Sequence, residues 1–129
     1  LLNAKSVAYS ASASGVYLST ELFPKMGISE QMDKTARKIF SERVAAVVAR
    51  EEAELGFQQV SELLSIPGVD FIGELPPEAQ KTVLFSAGIT KNVSNLNASR
   101  DLIAFLASPQ AAPTIQKAGL KPVLPALPW

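Results

Sequence analysis

Hydrophobic and polar positions switch between two periods along the chain. Ser6-Val7-Ala8-Tyr9 reads as a short strand and runs straight into the small polar stretch Ser10-Ala11-Ser12-Ala13-Ser14-Gly15. Helical spacing follows, with Val16, Tyr17, Leu22 and Phe23 apolar; Pro24 interrupts the pattern and Gly27 ends it. The polar residues 29–38 predict a short helix leading into Lys38-Ile39-Phe40. Ser41 is placed to cap the next helix, whose apolar face is Val44, Val47 and Val48 and which closes over residues 50–54. Residues 54–60 predict a strand, followed by a turn of helix through Leu63 and Leu64. Pro67-Gly68 marks a turn, residues 69–73 a further short strand, and residues 81–89, beyond Pro76-Pro77, the longest strand candidate.

The last third is helical. Asn97 is placed to cap a helix whose buried face is Leu102, Ile103, Phe105 and Leu106. Ser108-Pro109 opens a second helix with Pro at the favoured first position, and Gly119 closes it. A proline-rich tail from Lys121 is expected to be extended. Strands alternating with helices predict an α/β fold with a largely parallel sheet of about four or five strands flanked by helices, plus a C-terminal helix pair.

Composition narrows the chemistry. The chain has 129 residues, 47% of them hydrophobic, enough for one domain with a core. Twelve basic and twelve acidic residues balance, which removes the general electrostatic argument for nucleic acid or an anionic membrane. With no Cys and no His, neither a Cys/His zinc site nor a His-activated serine can be built; a Ser–Lys pair stays chemically open. No stretch approaches the ~20 apolar residues of a membrane helix. The opening Leu1-Leu2-Asn3-Ala4-Lys5 lacks the features of a signal peptide and no Met stands first, so a mature or truncated product is expected.

Three groups of residues carry a resemblance. Ser-Val-Ala-Tyr-Ser at 6–10 with Ala-Ser-Gly-Val-Tyr at 13–17, Glu-Ala-Glu-Leu-Gly-Phe-Gln-Gln at 52–59, and Ala-Phe-Leu-Ala-Ser-Pro-Gln-Ala-Ala at 104–112 followed by Gly119-Leu120 are similar, in order and spacing, to molybdate-binding-type periplasmic solute receptors. The similarity runs to about Pro122. It implies the second lobe of a type II periplasmic-binding-protein fold. Residues 1–89 would form a lobe-two-like domain with 81–89 as the return strand, and residues 90–129 a helix pair from lobe one with the proline-rich tail. The N-terminal half of such a receptor would then lie outside this chain.

Receptors of that kind hold oxyanions with helix N-terminal amides and Ser hydroxyls. The resemblance implies Ser12, Ser14 and Gly15 at one helix start, Ser41 and Arg43 at another, and Gln59 at a strand end as ligand-binding residues. Plainer roles stand beside these. A Ser ahead of a helix is first of all a cap. Glu42 suits the first turn of its helix but would repel an anion there, which Arg43 could offset. Gln58 and Gln59 alternate faces, so one at most faces a ligand. Tyr9 and Tyr17 fit a half-polar core, the acids Glu51, Glu52 and Glu54 a solvated helix end, and the sequons at Asn92 and Asn97 chance.

The function implied is that of a solute-binding module of an ABC transporter, periplasmic or secreted, taking molybdate or a related small anion and needing no cofactor. Its partners would be that solute and a transporter permease, with no nucleic acid and no membrane insertion. No enzyme activity is expected. A homodimer with the C-terminal helices at its interface is also expected. The alternative function is a truncated receptor without solute binding that acts through protein association.

Overall fold

The computed structural model describes residues 1–123. The chain folds as two compact units, Leu1–Val83 and a second from Leu84 onward. The first unit holds a three-stranded parallel sheet of order β2-β1-β3, with β1 at Val7–Ser10, β2 at Ala36–Ile39 and β3 at Leu55–Phe57. The expected α/β class with a parallel sheet flanked by helices is therefore present.

β1 is paired on both edges and covered on both faces. Alternation sends Ala8 to one face, where Val44, Val47 and Ala53 bury it. These valines belong to α4, Val44–Ala49, as the helical spacing predicted. Tyr9 points to the other face, against a cluster of Leu18, Leu22, Phe23 and Met32. That cluster comes from α1 at Ala13–Tyr17, a π-helical turn at Leu18–Leu22, α2 at Phe23–Lys25 and α3 at Ser29–Thr35.

The π turn accounts for Pro24. Proline has no N–H for the preceding turn and its ring crowds the carbonyl four residues back. The helix widens just ahead of it, with the Phe23 N–H donating to the Leu18 carbonyl. The hydroxyls of Ser19 and Thr20 donate to the carbonyls of Gly15 and Val16 over this stretch, at 3.0 and 2.7 Å. Pro24 then lies in the first turn of α2. Gly27, at φ 69°, ends the segment as the sequence predicted.

Four expectations need correction. The sheet has three strands among the described residues, because 69–73 and 81–89 find no strand to pair with. The apolar residues between these stretches serve the helical layer instead: Leu75 and Ala79 pack on the α1–α3 cluster, and the Tyr17 hydroxyl donates to the Ala79 carbonyl at 2.8 Å. In the second unit α6 spans Leu96–Leu106, and its cap is Asn95, whose side chain accepts the Ala98 N–H, rather than Asn97. Leu102, Phe105 and Leu106 of α6 are about half exposed, since among the described residues their own unit holds no sheet for them to cover. The last helix, α7, spans Ala112–Lys117, so Pro113 and not Pro109 occupies its first turn. The tail beyond residue 123 lies outside the described residues.

Two backbone positions generate predictions. A Cβ on Gly15 would stand 1.5 Å from the Ser10 carbonyl oxygen and 3.0 Å from the Tyr9 ring. Gly15→Ala must push α1 off β1, and urea unfolding is expected to show a loss of about 3 kcal/mol or more. Glu51 takes φ 60° after α4, donating to Val48 while Glu52 donates to Val47. That position favours glycine. Glu51→Gly is expected to raise stability by about 1 kcal/mol in the same assay, by relieving left-handed strain.

Candidate functional site

The strand order reverses at β1, so the chain leaves the carboxyl ends of β1, β2 and β3 through three adjacent loops. In open α/β sheets this edge is where ligands gather. The loops are residues 11–12, 40–43 and 58–59, and all six residues implied by the resemblance lie on them or at the helix starts they feed.

The first loop is built around Ser10, a buried residue at the last position of β1. Its hydroxyl accepts the Ser12 N–H at 2.9 Å and donates to the Ser12 Oγ at 2.6 Å. The Ser12 and Ser14 hydroxyls lie 3.3 Å apart. Ser12 has the extended backbone of a cap residue, but its side chain makes no capping bond. Its oxygen accepts from Ser10, and one hydroxyl of the Ser12–Ser14 pair donates to the other, which leaves one proton of the pair as a donor at the edge of the sheet. The same tight turn demands the Gly15 approach, which brings the first amides of α1 down over the strand end. The Ala11 N–H donates to the Ile39 carbonyl at 2.9 Å and ties this loop to the end of β2.

The second loop departs from expectation. Ser41 is exposed and is not the cap of α4. Arg43 holds the cap position, and the Val44 N–H is satisfied from the loop after β3, by the Gln58 Oε1 at 2.8 Å. The Arg43 guanidinium is engaged by Glu62 at 3.1 Å and the Ser65 hydroxyl at 2.8 Å. Glu42 is not offset by Arg43. Its carboxylate takes two 2.9 Å bonds from Arg50, which also reaches Glu52, and Glu52 meets Arg37 at 3.5 Å.

At the third loop the two glutamines take different roles. Gln58 is committed to the α4 cap. Gln59 starts α5, Val60–Leu63, through its backbone carbonyl, and its side-chain amide makes no hydrogen bond among the described residues. Thus Ser12, Ser14 and Gly15 share one helix start, Ser41 and Gln59 sit on the neighbouring loops, and Arg43 is tied into an ion pair. Sequence reasoning missed the role of Ser10, which it read as the start of a polar stretch, and the capping role of Gln58; no local pattern announces a cap drawn from a distant loop. Two open depressions, one lined by Lys5, Ser6, Val48, Glu51, Ala53 and Glu54 and the other by Leu2 and residues of α3, lie at the amino ends of the strands. The donor chemistry is at the opposite edge. No group of acids suited to a metal ion occurs among the described residues.

The ion network sets a pH dependence. Hydrogen bonds from Arg50 hold the Glu42 and Glu52 carboxyls below their ordinary range. Stability from this source is present above the ordinary carboxylate pKa and is lost as pH falls through the lowered values. Glu42→Gln is expected to lower the melting temperature slightly at pH 7. The gap to the parent should close in acid and shrink in high salt, as calorimetry at several pH values will show.

Comparison with known proteins bears on this edge. A family model described as bacterial extracellular solute-binding protein matches residues 1–121. A protein from Pseudomonas sp named aconitate isomerase is 52% identical over 123 residues, which cover 95% of this chain and 47% of that relative. The chain therefore spans about half the length of the relative. No solved structure matches. The expectation that no enzyme is involved is overturned, because this relative bears an enzyme's name. Composition misled here: lack of His and Cys removes the Cys nucleophile, the His-activated serine and the Cys/His zinc site but leaves acid–base chemistry open.

Proposed function

Since this chain belongs to the bacterial extracellular solute-binding proteins, we propose that the carboxyl edge of its sheet binds a small organic polycarboxylate, and that the full-length protein isomerises aconitate. The observation that carries the reading is the exposed pair of hydrogen-bonded hydroxyls at Ser12 and Ser14 on the α1 helix start, in a chain 52% identical to an aconitate isomerase. A carboxylate accepts several directed hydrogen bonds, and a helix start offers amides and hydroxyls aimed at one point. Both isomers of aconitate carry the same three carboxylates, so a site that grips carboxylates suits substrate and product alike. Gln59, with its amide uncommitted, is the added donor we assign to this edge.

The family match favours a second reading, in which the protein binds its solute in the periplasm and delivers it to a transporter permease without turnover. Molybdate is the competing ligand under that reading. One experiment separates them. The full-length protein is incubated with a single isomer of aconitate and followed by proton NMR, and titrated calorimetrically with aconitate and molybdate. Conversion of the isomer is the expected outcome, and Ser12→Ala is expected to weaken aconitate binding by roughly tenfold. Binding without conversion leaves only the delivery reading. Heat with molybdate alone, or with neither ligand, overturns the carboxylate site.

A further inference from the structure

Lys38 is the one lysine among eight that is half-buried; the other seven are exposed. It is the penultimate residue of β2 and stands in register with Tyr9 of β1, so the two side chains share one face of the sheet. Its Nζ lies 5.8 Å from the centroid of the Tyr9 ring. The same ring receives the first turn of α1, since a Cβ on Gly15 would stand 3.0 Å from Tyr9 Cδ2. One aromatic ring thus has an ammonium over its face and the helix start carrying Ser12 and Ser14 at its edge.

The nearby arginines are committed elsewhere. Arg43 bonds Glu62, Arg50 bonds Glu42 and Glu52, and Arg37 bonds Glu52. Among the described residues no carboxylate pairs with Lys38. A polycarboxylate brings several negative charges, which neutral hydroxyls and amides only partly offset. A half-buried ammonium acts more strongly on them than an exposed one, because less water screens it.

We propose that Lys38 is the cation of this site and that its ammonium binds a carboxylate of the substrate beside the Ser12 hydroxyl. The assignment rests on the polycarboxylate reading given above. It is tested in the full-length protein by measuring KM and kcat for aconitate, or Kd where turnover is absent, at several salt concentrations. Lys38→Met is expected to raise KM or Kd about 10- to 100-fold and to flatten its salt dependence. Lys38→Arg should recover most of the loss, and Lys25→Met, on an exposed site away from this edge, should match the parent. A KM for Lys38→Met within about twofold of the parent overturns the Lys38 assignment and leaves the polycarboxylate reading standing. A parent protein that neither binds nor converts aconitate overturns both. Should Lys38→Met fail to fold, Lys38→Gln takes its place, and the same thresholds decide.

Discussion

The approach of Gly15 to the Ser10 carbonyl is the constraint on which the rest of this unit depends. β1 is enclosed by β2 and β3 on its edges, by α4 on one face and by the α1–α3 layer on the other. Such a strand can be followed by a covering helix only if the chain turns within two residues and lies down almost in contact with the strand it leaves. Glycine is the residue that permits this distance. The turn aligns Ser10, Ser12 and Ser14, so the geometry that packs the core also arranges the hydroxyls at the sheet's edge.

Loop exchange fixes the rest of that edge. The β1 loop bonds the end of β2 through Ala11 and Ile39, and the start of α4 is capped from the loop after β3 through Val44 and Gln58. Arg43 then draws α5 in through Glu62 and Ser65. Each of these loops is bonded to a neighbour, and the β1 loop to its own serines as well. An isolated serine cap would have fixed α4 locally; the cross-strand cap fixes it to the sheet, which sets the relative placement of the loops more tightly.

Much of this was legible in the chain. The apolar spacing at Val44, Val47 and Val48, the turn at Gly27 and the close of the last helix at Gly119 follow from local rules that the structure obeys. The starts of α4 and α6 were each misread by two residues, the caps being Arg43 rather than Ser41 and Asn95 rather than Asn97. Strands 69–73 and 81–89 were misread for a different reason. Their apolar residues are real, but a strand exists only where a partner offers its hydrogen bonds, and sequence pattern carries no information about the partner. Ser12, Ser14 and Gly15 were found through resemblance and are together in the structure; Lys38 was invisible because its distinction is burial and register with Tyr9.

The parallel arrangement also has a temporal side. Val7 pairs with Ala36 and with Leu55, so the central strand has no complete partner until the chain has emerged well past both. Parallel pairings between distant segments close slowly, and an unpaired apolar strand is exposed to wrong partners while it waits. Yet every strand of the sheet lies between residues 7 and 57, in one contiguous stretch. During vectorial synthesis or export that stretch would be available as a whole before the helices of the second unit follow, and its assembly need not wait for them.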